Sequence, residues 1–151
     1  MSVRVQAEDF DLGVELTGLT AGNPAIGGLA SFVGLVRDIH GGEAVTAMTL
    51  EHYPGMTEKM LTRIEAEANQ RWKLDASLII HRYGRLTPGD RIVLVATASA
   101  HRQDALDACA FLIDWLKTKA PFWKLEETPT GAHWVDARES DQAAVQRWEG
   151  G

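Results

Sequence analysis

An α+β fold, a single domain built on a mainly antiparallel sheet, is what this sequence predicts, and three observations predict it. The elements run roughly βαββαββαββα, without the regular βαβ alternation of a doubly wound sheet. Strand-like runs are separated by compact turn signals, as at Pro88-Gly89-Asp90. A length of 151 residues with 45% hydrophobic and 24% charged residues fits one compact domain that can bury a sizeable core without staples.

Each element has a local reason. Val3 to Gln6 alternates apolar and polar residues as a short strand does, and Asp9 or Asp11 can cap a helix running to about Leu19 before Gly22-Asn23-Pro24 breaks it. Leu29 to Val36 reads as a buried strand that ends in the polar loop Arg37-Asp38-Ile39-His40-Gly41-Gly42, with Val45 to Tyr53 as its antiparallel partner. Pro54 suits the first turn of an amphipathic helix in which Met56, Met60, Leu61, Ile64 and Ala68 recur at three- and four-residue spacings, through to about Trp72. Leu78 to His81 and Ile92 to Ala98 look like a hairpin joined through Gly84 to Asp90. The strongest helix carries Leu106, Cys109, Ala110, Ile113 and Leu116 along one face, and Ala120-Pro121 forces its end because the residue before proline avoids the helical region. Lys124 to Glu127 and Ala132 to Val135 read as short strands around Thr128-Pro129-Thr130-Gly131, and a polar helix is expected over Glu139 to Trp148.

Composition narrows the function classes. A formal net charge of −6 argues against general nucleic-acid binding, which needs a cationic face for phosphates. No stretch approaches the roughly 20 apolar residues of a membrane helix, and the N-terminus lacks the apolar run of a signal peptide. Cys109 is the only cysteine, so one chain holds neither an intramolecular disulfide nor a cysteine metal cluster, and a reducing, cytoplasmic location is expected. The five histidines are scattered, with no HExxH, CxxC, GxSxG or phosphate-loop motif.

Attention therefore shifts to the basic residues. Acids outnumber bases by 21 to 15 in the chain, yet Trp115 to Leu125 holds Lys117, Lys119 and Lys124 with no acid. That reversal points to an anion site, and Lys117 falls at the edge of the apolar helix face. The plainer reading is that these lysines occupy the end of the helix, where its dipole favours cations and long side chains snorkel; Lys119 fits this better than Lys117 or Lys124. His101-Arg102 stands where a strand hands over to the long helix, so that free backbone amides and a guanidinium could face a phosphate, or His101 could be a cap or surface residue. Arg37 closes a strand before a Gly-rich loop, either reaching into a cleft or solvated. His52 could orient a substrate but more simply satisfies a half-buried hydrogen bond. Phe122-Trp123 between two lysines could stack on a flat heterocycle, though such aromatics usually anchor a core, and Cys109 reads as a small buried hydrophobe.

Three stretches carry a resemblance: Leu50-Glu51-His52-Tyr53-Pro54-Gly55-Met56, Ser99-Ala100-His101-Arg102, and Leu116-Lys117-Thr118-Lys119-Ala120-Pro121-Phe122-Trp123-Lys124. They are extended by His81-Arg82 with Gly84 and Leu86, by Pro88-Gly89-Asp90, and by Trp134-Val135 with Arg138-Glu139-Ser140-Asp141. Over nearly its whole length the chain resembles the molybdopterin synthase large-subunit family.

The resemblance implies an α/β hammerhead fold over residues 1–151 and a sulfurtransferase of molybdenum cofactor biosynthesis. It implies a homodimer of large subunits with a small ubiquitin-like subunit docked on each, making a heterotetramer. The small subunit's Gly-Gly thiocarboxylate tail gives its sulfur to cyclic pyranopterin monophosphate, and two transfers build the dithiolene of molybdopterin. Residue by residue, it implies a catalytic pair Lys117 and Lys124, with Arg37, His101, Arg102 and Glu126 at the substrate and Arg138 reaching a site, across the dimer in one arrangement. It implies no metal or other cofactor, because the sulfur arrives already activated. One feature departs from the family: the chain ends Arg147-Trp148-Glu149-Gly150-Gly151, and a terminal Gly-Gly belongs to the small subunit. A flexible tail over residues 149–151 is the expected reading, and occupation of the partner-tail cavity by this chain's own tail is the sharper one. Two other classes compete with the enzyme: a binding module for an anion or a protein tail, and a purely structural oligomerisation subunit. The lysine pair in its full context with His101 favours the enzyme.

Overall fold

The computed structural model of the chain describes residues 2–135 and 146–149. Its elements begin β1 (Ser2–Gln6), α1 (Leu12–Thr20), β2 (Gly28–Leu35), β3 (Ile39–His40), β4 (Glu43–Ala44), β5 (Ala47–His52) and α2 (Met56–Arg71). They continue β6 (Ala76–Arg82), β7 (Gly84–Leu86), β8 (Arg91–Ser99), α3 (Arg102–Thr118), β9 (Phe122–Thr128) and β10 (Gly131–Val135). The class is α+β with mainly antiparallel sheets, as the order of elements predicts. One sheet has the order β1-β6-β8-β2, the other β10-β9-β5-β7, and β3-β4 is a small ribbon. Only the β1–β6 pairing is parallel among the described strands.

The central strands of the first sheet, β6 and β8, are buried on both faces, and the strand period of two divides their side chains between two clusters. Edge strand β2, expected to be buried, instead leaves Leu29, Phe32 and Leu35 exposed. Leu78, Ile80, Leu94 and Ala96 point to one side, where Phe10 and the Leu12, Leu16 and Leu19 side chains of α1 cover them. Ile79, Val93 and Val95 point to the other, against Leu61 and Ile64 of α2 and Phe111 and Leu112 of α3. This double burial explains why Ile92 to Ala98 reads as a continuous apolar run rather than an alternation. α1 begins where Asp11 accepts a hydrogen bond from the Val14 amide at 2.9 Å, the cap its sequence offered.

One expected pairing is wrong. Val45 to Tyr53 does not partner Leu29 to Val36: β2 pairs with β8, and β5 pairs with β7 and β9 in the second sheet. The chain changes sheets through residues 37–46, where Gly41 and Gly42 at φ 60° and 82° allow the tight β3–β4 hairpin that the sequence suggested only as a loop. A second change occurs after β6. β6 and β8 do pair, yet their connection carries β7 across to the edge of the second sheet, beginning at Gly84 with φ 94°.

Buried Glu65 is fully engaged in structure: its Oε2 accepts from the Ser2 amide at 3.0 Å and from Ser77 Oγ at 2.7 Å, tying α2 to β1 and β6. Residues 146–149 are helical, and Trp148 meets Trp72 and Phe111 edge-on while its Nε1 donates to Asp114 at 2.7 Å. The expected helix over Glu139 to Trp148 otherwise lies outside the described residues, as do Gly150 and Gly151; Glu149, placed in the expected tail, is helical and pairs with Lys119 at 3.0 Å.

Candidate active site

Between the two sheets, at the C-terminal end of α3, lies a cavity of about 630 Å³. That is the size of an ordinary small-molecule site. Lys117 and Lys124 both line it, reaching it from different elements. Lys117 comes from the last turn of α3 and is half-buried, as its spacing indicated. The buried face of α3 runs through Ala105, Ala108, Cys109, Phe111, Leu112 and Leu116, whereas Leu106 and Ala110, expected on it, are exposed. Lys124 comes from β9, whose register sets it opposite Leu50 on one side and Val135 on the other. Pro121 makes this possible by ending the helix between them. Lys119 behaves differently: it is the exposed C-cap of α3, paired with Glu149, and does not line the cavity.

Arg37 also lines the cavity. It follows Val36, which is fixed by two backbone hydrogen bonds, its amide to Asp90 at 2.9 Å and its carbonyl from the Gly89 amide at 2.8 Å. The Pro88-Gly89-Asp90 turn thus anchors the base from which an exposed guanidinium reaches in. Glu126 lies on the same wall, 8% exposed, and its Oε1 is 2.5 Å from His40 Nδ1. It is therefore paired to the β3–β4 hairpin, and His40, which lines the cavity too, is a site residue the sequence reading missed.

His101 and Arg102 are elsewhere. They stand exposed at the N-cap and first residue of α3, and Lys117 is fifteen residues further along, about 22 Å at 1.5 Å per residue. Within one chain the structure does not bring them to the lysines. Arg138 lies outside the described residues. His52 does not line the cavity; its Nδ1 is 3.0 Å from Thr57 Oγ1, the plain hydrogen-bonding role. Phe122 lines the cavity, and Trp123 is 50% exposed on its rim rather than anchoring a core. Cys109 is buried with its thiol pushed up to about 11 by burial, so it is a packed hydrophobe and no nucleophile at neutral pH.

His81 is the second cavity residue that the sequence left among scattered histidines. It is 6% exposed, its ring stacks on Phe122 with centroids 3.7 Å apart, and burial lowers its pKa from 6.5 to about 3. Its hydrogen bond to the Arg82 carbonyl opposes that shift, while the charges of Lys117, Lys124 and His52 add to it. The unfolded chain takes up this proton below pH 6.5 and the folded chain does not, so the stabilisation is complete above that pH and drains away towards pH 3. Between pH 7 and pH 5 the loss from this one group is about 2 kcal/mol by linkage. Urea unfolding at the two pH values should show that loss in wild type and a correspondingly smaller one in His81→Gln; equal losses would rule out a neutral, buried His81.

The arrangement offers three cations, two neutral or paired histidines and walls that are part polar and part apolar, which suits a small anionic substrate and chemistry that develops negative charge. The helices of the described residues are all too short or too polar to cross a membrane.

Comparison with known proteins agrees with this architecture. Residues 5–119 match the family described as MoaE protein. The chain is 59% identical over 149 residues to a molybdopterin synthase catalytic subunit of Pseudomonas aeruginosa, covering 99% of each chain. It is 58% identical over 147 residues to that of Ralstonia nicotianae, covering 97% of this chain and 84% of the relative. A solved MoaE protein from Burkholderia ambifaria superposes with a TM-score of 0.83 at 55% identity over 99% of both chains. An α+β chain with this cavity and these relatives belongs to the MoaE protein family. Its enzyme class is molybdopterin synthase, catalytic subunit, within molybdenum cofactor biosynthesis.

Proposed function

We propose that this subunit moves sulfur from the C-terminal thiocarboxylate of a small ubiquitin-like partner to cyclic pyranopterin monophosphate, twice, to form the dithiolene of molybdopterin. The observation that carries the proposal is the convergence of Lys117, Lys124 and Arg37 on one cavity of about 630 Å³ whose walls mix polar and apolar side chains. A Gly-Gly tail, without side chains, can enter the cavity and bring its acyl carbon to Lys117. Cations there stabilise the charge of a tetrahedral intermediate, in a medium where each such contact counts for more than in water. Sulfur bonds to a carbon of the pterin side chain as a C–O bond of that carbon breaks and its oxygen leaves as water or with the phosphate. Water then cleaves the acyl carbon–sulfur bond and supplies the oxygen that replaces sulfur there, and the partner departs as a carboxylate. Lys124 positions the substrate or carries a proton, and Arg37 holds its phosphate. No metal or further cofactor enters this scheme.

His101 and Arg102 serve as substrate ligands in this reading only if they come from a second copy of the chain, because α3 separates them from their own lysines by about 22 Å. A homodimer with one small subunit on each copy, a cytoplasmic heterotetramer, provides that arrangement, and Arg138 remains a candidate for the same shared site.

The test combines purified protein, thiocarboxylated small subunit and cyclic pyranopterin monophosphate, and follows dithiolene product. Wild type should turn over. Inactive Lys117→Ala and Arg102→Ala proteins, unfolded together and refolded as a mixture, should regain about a quarter of wild-type activity, since half the dimers formed then hold one intact site of two. Folded wild type that binds the partner yet yields no product would establish a binding module instead. No recovery in the mixture would remove the shared site.

A further inference from the structure

His81 has a nitrogen that none of the roles above uses. The ring sits at the end of β6 on the cavity wall, held by its stack on Phe122 at 3.7 Å and 13° between planes. Its Nδ1 lies 2.8 Å from the Arg82 carbonyl oxygen, which can only accept, so Nδ1 carries the ring proton and Nε2 keeps its lone pair. We propose that His81 is a positioning residue for the sulfur transfer described above: it stays uncharged and presents Nε2 as an acceptor to the ammonium of a cavity lysine, fixing the direction in which that lysine points.

The surroundings select this residue type. The charged and titratable groups facing the cavity are Lys117 from α3, Lys124 from β9, Arg37 from the loop after β2 and His40 from the β3–β4 hairpin, while His52 of β5 lies behind Phe122 with centroids 6.0 Å apart. Among the described lining residues the carboxylate is Glu126, and His40 holds it. A second carboxylate at position 81 would neutralise the field that draws an anion, and a third ammonium or an imidazolium would repel both lysines. A neutral acceptor orients a cation without cancelling it. Burial keeps the imidazole in that state, with a pKa near 3.

Two variants separate this role from packing. His81→Phe keeps a ring to stack on Phe122 and removes the acceptor; His81→Gln is neutral at every pH and keeps one. In lysine-labelled protein, NMR titration of the side-chain signals should show the midpoint of Lys117 or Lys124 lower by about one pH unit in His81→Phe and little changed in His81→Gln. In turnover, His81→Phe should lose about tenfold in kcat with KM for the pterin nearly unchanged, and His81→Gln should recover most of it. Neither lysine midpoint moving in His81→Phe would overturn the inference. So would ¹⁵N shifts of the wild-type His81 ring that report an imidazolium at pH 6, a measurement that requires no variant to fold. The titrations need no turnover, so they judge His81 even if wild type fails to make dithiolene, an outcome that would sink the sulfur-transfer reading alone.

Discussion

Lys117→Ala and Lys124→Ala should each remain folded and lose roughly two to three orders of magnitude in dithiolene production, about 3–4 kcal/mol of transition-state stabilisation. The size follows from where the ammonium groups sit. Both side chains are half-buried and line a cavity walled by residues such as Leu50, Leu116 and Phe122. A cation in such a place interacts with developing negative charge through a poorer screen than water, and it is already oriented when the charge appears. Loss of that interaction should fall on kcat and on kcat/KM together, with partner affinity largely retained. Stability should change by no more than about half a kcal/mol, because neither side chain is fully buried. Lys119→Ala is the control. Its ammonium is exposed, pairs with Glu149 and lies off the cavity, so activity should stay at the wild-type level. Turnover near wild type in either cavity-lysine variant would remove that residue from the chemistry.

The contrast between Lys117 and Lys119 was legible in the sequence because helical periodicity fixes faces: one position lies at the border of the apolar stripe and the other beyond it. The same local rules offered Asp11, beside Asp9, as a cap, and found the end of α3 and the pairing of β6 with β8. They failed where partners are distant. β2 and β5 are neighbours in sequence and strand-like, yet β8 is apolar on both faces and takes β2 along its free edge, leaving β5 to the second sheet. The contact between His40 and Glu126 spans 86 residues and depends on a two-glycine turn that looks like any loop until its strands pair. His81 was hidden for a related reason. Nothing in its own stretch of sequence reveals that Phe122 will cover its ring or that α3 will set a lysine beside it. His101 and Arg102 carry the opposite lesson, since their motif was plain and their distance from the lysines appears only in the folded chain.

That distance makes the junction before α3 worth perturbing, and Gly27 is the place to do it. Gly27 leads into β2, its amide donates to the Ser99 carbonyl at 2.9 Å, and a β-carbon on it would stand 2.2 Å from the backbone oxygen of Ala100. The obstacle is main chain, so no side chain can swing aside to relieve it. Gly27→Ala must push apart the start of β2 and the Ser99 to Arg102 turn, at a cost of about 3 kcal/mol and a fall in Tm of roughly 6–12 °C. Gly28 provides the comparison: a β-carbon there meets the Arg102 Cα at 3.4 Å, an ordinary contact, so Gly28→Ala should cost far less. The displaced segment carries His101 and Arg102 and not the lysines. In the shared-site reading, Gly27→Ala assayed well below its melting point should therefore raise KM for the pterin more than it lowers kcat. An intact melting temperature would mean that the turn yields freely, and its closeness to β2 would then hold neither the fold nor the placement of Arg102.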